Sequence, residues 1–332
     1  MNSLRFGVIG TNYISDKVIE GGLQDERFRL AAVYSRRQDT ADAFAAKHHI
    51  PHTFTSLEAM ASSPLIDAVY IASPNACHAS QSILFLERGK HVLCEKAFAS
   101  NAREVREMIA AASRNKVALM EAMKPTLTPN FLKTKDALGE IGAIRRYFSC
   151  YCQYSSRYDK FREGTVLNTF QSELSNGALL DIGVYTIYPM VALFGRPQSI
   201  KAVGFKLSSG VDGEGCVVFG YPSMDASVLY SKIADSSLPT EIQGEDGSIV
   251  LDRINIISKV ELRHRGGIVE DMSTPAQHEY FYEVKEFIDI VQSGRLESRV
   301  NSWDNSLIAI EIMDEIRRQL GVVYPADLQE YE

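Results

Sequence analysis

Gly89-Lys90-His91-Val92-Leu93-Cys94-Glu95-Lys96 carries a short apolar run, Val92 to Cys94, straight into an adjacent acid and base. The run has the length of a strand buried on both faces, the kind found in parallel sheets. In open α/β sheets, ligands bind outside the carboxyl ends of the strands. Lys96 is therefore expected to point at whatever this part of the chain binds. Burial at such an end favours the neutral amine of a lysine, which suits proton chemistry better than packing.

Outward from this run, residues 1–120 alternate strand and helix patterns. Strands are read at Arg5–Ile9, Arg29–Tyr34, Asp67–Ala72, His91–Cys94 and Val117–Met120. Helices are read at Tyr13–Leu23, Asp39–His48, Cys77–Arg88 and Asn101–Arg114. Strands separated by helices of this length predict βαβ units and a doubly wound parallel sheet. The pattern changes over 121–332. Strand-like alternation recurs at Phe148–Tyr154, Ser199–Phe205, Glu214–Tyr221, Ala226–Ile233 and Ser248–Leu251, mostly without crossover helices. The fold class is thus α/β, with a second α/β domain built on a large, mostly antiparallel sheet.

The first strand leads into Gly10-Thr11-Asn12-Tyr13-Ile14-Ser15. The dinucleotide fingerprint Gly-x-Gly-x-x-Gly/Ala belongs in this context. Gly10 fills its first position, Asn12 stands at the second and Ser15 at the third. Asn is expected there for its tolerance of the left-handed backbone. The second strand ends in Tyr34-Ser35-Arg36-Arg37, where an acid would meet the ribose of NAD. Ser35, Arg36 and Arg37 instead suit the 2′-phosphate of NADP, which is preferred over NAD. The next strand ends in Ser73-Pro74-Asn75, with His78 after it. Backbone and Asn75 are candidates for the nicotinamide end, and His78 is as readily a helix-start residue satisfied by backbone.

Asp181, Tyr185 and Tyr188 fall at i, i+4 and i+7, one face of a helix opened by Asp181. Pro189 is expected to kink or offset that helix. A tyrosine near a lysine has its anion favoured and serves as acid or base near neutrality. An amphipathic helix with an aspartate cap is the plain structural alternative.

The chain has 332 residues, 45% hydrophobic and 23% charged, enough for two cores. A net charge of −7 argues against a nucleic-acid partner. No apolar run approaches the roughly 20 residues of a membrane helix, and the N-terminus enters a strand directly, so neither a membrane nor a signal peptide is expected. Cys77, Cys94, Cys150, Cys152 and Cys216 are an odd set that fits a reduced cytoplasm. Cys150 and Cys152 share a strand face, with no further soft ligands for a metal, so none is expected.

Taken together, Gly10, Ser73-Pro74-Asn75 with His78, Gly89 to Lys96, and Gly177-Ala178-Leu179-Leu180-Asp181-Ile182-Gly183-Val184-Tyr185 resemble the Gfo/Idh/MocA oxidoreductases, over essentially the whole chain. The tyrosine at 185 resembles the branch with dimeric dihydrodiol dehydrogenase and D-xylose dehydrogenase. The resemblance implies an N-terminal Rossmann domain for NADP, and a C-terminal domain that binds substrate and forms a homodimer or homotetramer through its sheet. It implies hydride transfer between NAD(P) and a carbinol of a sugar, polyol or trans-diol. Lys96, Asp181 and Tyr185 would be catalytic, and Glu95 and Lys96 would border the cofactor. Lys124 and Asn168 are expected in the substrate pocket, each as readily a solvated loop residue. The family's Pro after Glu-Lys is Ala97 here; the Lys96–Ala97 bond is either trans or a cis bond the fold supports. Two alternatives stand beside this: an NADP-binding sensor without turnover, and a reductase of a non-sugar carbonyl or imine.

Overall fold

The computed structural model describes residues 3–328. They form two units. The first takes Met1–Lys124 with Gln277–Ser306, and the second takes Pro125–Ala276 with Leu307–Glu332.

The first unit is a six-stranded sheet in the order β3-β2-β1-β4-β5-β6. Its strands are β1 (Leu4–Ile9), β2 (Phe28–Tyr34), β3 (His52–Phe54), β4 (Ala68–Ile71), β5 (His91–Glu95) and β6 (Leu119–Ala122). All pairings are parallel. The connecting helices are α1 (Tyr13–Gly22), α2 (Gln38–His48), α3 (Leu57–Ala61), α4 (Asn75–Glu87) and α5 (Ala102–Asn115). Val69, Ile71, Val92, Leu93 and Cys94 are fully buried, as strands covered on both faces require. Strand β3 and helix α3 escaped the sequence reading; three and five residues are too short to display a period.

Residues 277–306 fall in this unit, a correction to a boundary that left everything after 120 in the second domain. Helix α9 (Phe281–Gln292) explains it. Its Phe287 ring lies 5.8 Å from Phe6 of β1. Gly21 of α1 lies so close that a Cβ there would come 2.8 Å from the Phe281 backbone nitrogen.

The second unit has an eight-stranded sheet in the order β14-β13-β12-β11-β7-β10-β9-β8. Its strands are β7 (Ile144–Cys152), β8 (Ser199–Lys206), β9 (Asp212–Gly220), β10 (Asp225–Ser231), β11 (Thr240–Gly244), β12 (Gly247–Leu251), β13 (Val260–His264) and β14 (Val269–Asp271). Every neighbour is antiparallel except the β10–β7 pair. Helices α6 (Pro129–Asp136), α7 (Tyr158–Arg162), α8 (Val184–Phe194) and α10 (Trp303–Leu320) complete the chain. One sheet face, with Tyr147, Val217, Phe219, Ala226, Val228 and Tyr230, is buried. Tyr147 donates to the Thr186 carbonyl of α8 at 3.1 Å. Along the other face, Val203 of β8 stands opposite Cys216, Leu229 and Cys150 in turn. There Val203 is 70% and Phe205 55% exposed.

By length and composition alone, Ser172–Phe194 would pass for a membrane-crossing segment. Its most apolar window is 78% buried inside the protein, where it serves as core.

Candidate active site

The turn after β1 is built by three side chains. Gly10 sits at φ +104°, and a Cβ there would fall 2.5 Å from the Ala72 carbonyl oxygen. Only glycine meets both conditions cheaply. Asn12 is not a left-handed substitute for glycine, which corrects the sequence expectation. Its backbone is extended at φ −102°. It caps α1, accepting from the Ile14 and Ser15 N–H groups at 2.9 and 3.2 Å, and its amide donates to Ala72 at 2.8 Å. Ser15 is buried and donates to the Gly10 carbonyl at 2.7 Å. Thr11, Tyr13 and Ile14 stand at the open end of α1, with Tyr13 67% exposed.

Arg36 and Arg37 part company. Arg37 forms an ion pair with Asp39, whereas Arg36 makes no ion pair among the described residues. The Ser35 hydroxyl faces the Arg37 N–H at 3.5 Å. At the end of β4, Ser73 donates to Gln81 at 2.8 Å, and Pro74 and Asn75 open α4. His78 is 1% exposed. Its Nδ1 faces the Ala97 carbonyl at 2.9 Å and its Nε2 the Ser73 carbonyl at 2.8 Å. Burial outweighs these bonds and lowers its pKa. The ring therefore ties the chain after β4 to the chain after β5.

Lys96 follows β5, and its peptide bond to Ala97 is cis. Glu95, expected beside the cofactor, turns inward: its Oε1 accepts the Tyr70 hydroxyl at 2.7 Å and its Oε2 the Lys96 N–H at 3.3 Å. Burial raises its pKa, against the opposing pull of Lys96 and Tyr70. Lys124, expected in a substrate pocket, is 6% exposed, paired with Glu279, and stacked 4.5 Å over the Tyr280 ring. Glu283 of α9 is fully buried, with no hydrogen-bond partner for either oxygen among the described residues. Burial and the charge of Glu95 push its pKa well up. Glu121 of β6 accepts the Phe98 N–H at 3.2 Å and is pushed up to about 8 by burial.

In the second unit, Asp181 does not open α8, as the sequence pattern proposed. A single π turn, Leu179–Gly183, precedes α8 and holds it. Such turns accommodate an offset in the hydrogen-bond ladder and recur at functional sites. The Leu179 N–H donates to Asp212 Oδ2 at 2.7 Å. Gly183 lies against Tyr230, where a Cβ would come 3.0 Å from the ring. Pro189 is accommodated inside α8. Asp181 forms an ion pair with Lys232, a residue that no motif in the sequence marks. Tyr185 is half-buried, its ring edge-on to Tyr151 at 5.8 Å, and Tyr188 is fully buried. Asn168 is exposed at the start of a 3₁₀ turn whose Thr169 and Phe170 are buried, and its carbonyl accepts from Asn176 at 2.8 Å. Nearby, Arg157 donates to Thr169, and Tyr154 donates to Asp159 at 2.7 Å.

Residues 4–123 match the model of an oxidoreductase family with an NAD-binding Rossmann fold, and residues 132–250 match the GFO/IDH/MocA C-terminal domain. The chain is 54% identical to scyllo-inositol 2-dehydrogenase (NADP(+)) IolU of Bacillus subtilis, covering 98% of this chain and 99% of that protein. It is 32% identical to the trans-1,2-dihydrobenzene-1,2-diol dehydrogenase of Danio rerio, covering 98% and 100%. Among solved structures, levoglucosan dehydrogenase in complex with NADH and levoglucosan superposes with a TM-score of 0.87 at 20% identity, covering 96% and 98%. The 3-ketoreductase KijD10 of Actinomadura kijaniata, in complex with NADP and TDP-benzene, gives 0.84 at 23%, also covering 96% and 98%. Arg36, which makes no ion pair among the described residues, and the N-terminus of α1 after Gly10 fit a nicotinamide dinucleotide. The chain is an NAD(P)-dependent dehydrogenase acting on CH–OH groups and belongs to the Gfo/Idh/MocA oxidoreductase family.

Proposed function

We propose that the protein oxidises a carbinol of a polyol, sugar or trans-diol with NADP, and that Lys96, Asp181 and Tyr185 serve the reacting oxygen. The observation that carries this reading is the π turn that sets an ion-paired Asp181 four residues before Tyr185 at the start of α8. The 54% identity to a scyllo-inositol 2-dehydrogenase makes a cyclitol the first substrate to try.

The nicotinamide dinucleotide, when bound, supplies the hydride acceptor. The N-terminus of α1 would hold its pyrophosphate, and Ser35 and Arg36 its 2′-phosphate. Tyr185 takes the hydroxyl proton as the carbinol is oxidised. Lys96 stabilises the negative charge that develops on the reacting oxygen. Asp181 accepts a hydrogen bond from a neighbouring substrate hydroxyl and so fixes which carbon reacts. We also assign self-association, as a homodimer or homotetramer, to the outer face of the second sheet, where Val203 and Phe205 stand in water.

NADPH formation from scyllo-inositol, other inositols, aldoses and trans-diols tests the reading, with Lys96→Met and Tyr185→Phe alongside. Turnover on one class, lost in both variants, is the expected result. NADPH binding without turnover on any of them would turn the reading toward a sensor.

A further inference from the structure

Lys232 is where the second unit spends a buried cation. It is 9% exposed and follows β10 directly, where its backbone N–H donates to the Gly213 carbonyl at 2.9 Å. That bond extends the β10–β9 ladder by one residue. Tyr230 and Lys232, two apart on a strand, share the sheet face that meets the π turn. Tyr230 packs under Gly183 of that turn, and the Lys232 ammonium pairs with Asp181 in it. One strand end therefore sets both the height of the turn and the place of its carboxylate.

The other acids around this pair are bonded elsewhere, save the Oδ1 of Asp212, which is buried with no hydrogen-bond partner among the described residues. Asp212 at the start of β9 also feels Lys232, but its Oδ2 accepts the Leu179 N–H. Glu214 accepts from the Ser231 hydroxyl at 3.2 Å, and Asp235 from the Tyr154 N–H at 2.8 Å. Asp181 is the carboxylate to which the ammonium is bonded. Its side chain is 31% exposed, so a ligand can reach it. A buried lysine is a costly residue, and its removal leaves Asp181 without that compensating charge.

We infer that Lys232 is a positioning residue for the oxidation, holding Asp181 ionised and in one rotamer so that Asp181 can bind the substrate hydroxyl. The inference rests on the reading that Asp181 serves the substrate. An opposite charge at this distance favours the carboxylate. Without it, Asp181 takes up a proton at higher pH and loses its acceptor role. Arginine keeps the charge but replaces a point donor by a planar fork.

The test compares wild type, Lys232→Met, Lys232→Arg and Asp181→Asn with scyllo-inositol and NADP+, across pH 5 to 9. In Lys232→Met we expect kcat/KM for the polyol to fall roughly ten- to a hundredfold, with KM for NADP+ within about twofold. Its acid limb should move to higher pH, and Lys232→Arg should restore part of both. Asp181→Asn should abolish the difference between Lys and Met at 232. A Lys232→Met enzyme with a lowered melting temperature but an unmoved acid limb would show a packing role only and overturn the inference. Wild type without turnover would instead sink the assigned reaction, an outcome the wild-type arm identifies by itself.

Discussion

The side-chain amide of Asn12 donates to the Ala72 carbonyl at 2.8 Å, tying the turn after β1 to the end of β4. The same side chain caps α1 through its oxygen. Asn12→Ala removes all three bonds at once. A lost cap costs ~1 kcal/mol and a lost neutral hydrogen bond about the same. The variant should lose about 1–2 kcal/mol in urea unfolding and bind NADPH more weakly, because the α1 N-terminus is no longer held.

Asn12 also marks the limit of a fingerprint. Its position was legible as part of a dinucleotide turn, because strand, Gly10 and helix follow in order. Its conformation was not, since an Asn serves a left-handed turn or a cap equally well and the choice depends on Ala72, 60 residues away. The π turn and Lys232 were hidden for the same reason: Lys232 lies 51 residues from Asp181, and only the path of β10 brings them together. Strand β11 was missed because its outward residues are Glu241 and Gln243, so little apolar signal marks it. By contrast, Lys96 and Tyr185 stand out as candidates in the sequence because each borders an element legible there, just after β5 and at the start of α8. Lys124 looked like a pocket cation until Glu279 and Tyr280, from a distant helix start, enclosed it.

Arg36 and Arg37 are adjacent in sequence and unequal in structure. Asp39 already occupies Arg37, while Arg36 has no carboxylate partner among the described residues. A hydrogen bond to a charged group contributes about 1.5–3 kcal/mol. Arg36→Ala should raise KM for NADP+ by about ten- to a hundredfold and leave KM for NAD+ within about twofold. Arg37→Ala should change neither by more than about twofold. Initial rates with both cofactors measure this; equal losses in the two variants would refute the assignment.

Gly177 sits at φ +140°, and a Cβ there would fall 2.3 Å from Asp212 Oδ1. Asp212 is the buried acid that holds the Leu179 N–H, its pKa pushed up to about 6 by burial. Gly177→Ala therefore strains the backbone and pushes on the anchor of the π turn. The expected cost is about 1–3 kcal/mol, with a larger loss in kcat than in cofactor affinity. Asp212→Asn, which retains an acceptor for Leu179, should be milder on both counts.

Glu121 gives the stability a sign with pH. Its carboxyl titrates at about 8 in the fold, against an ordinary value of 4.5. The folded state thus holds a proton that the unfolded chain has released. The stability linked to this group is fully present below pH 4.5 and is lost as pH rises through about 8. Glu283, also raised, acts in the same direction. Glu121→Gln keeps an acceptor for Phe98 and cannot ionise. Its melting temperature relative to wild type should climb by at least about 2 °C between pH 5 and 8. A difference that stays flat across that range would mean Glu121 titrates as an ordinary carboxylate.

Val203 and Phe205 alternate with Gly204 on β8, and both stand on the sheet face away from α8. Lys201 continues their row and Val218, 47% exposed, stands across from it on β9. An apolar row on an open sheet face of eight strands is costly in water and inexpensive against a second copy of itself. Val203→Glu with Phe205→Glu places four like charges across a two-fold interface for each pair of chains. The double variant should elute as a smaller species than wild type in size exclusion with light scattering, at the same protein concentration. Because these residues lie on the sheet face opposite the π turn and Tyr185, NADPH binding should survive in the smaller species. An unchanged mass would move the interface off this face, and a wild type that is already monomeric would remove it.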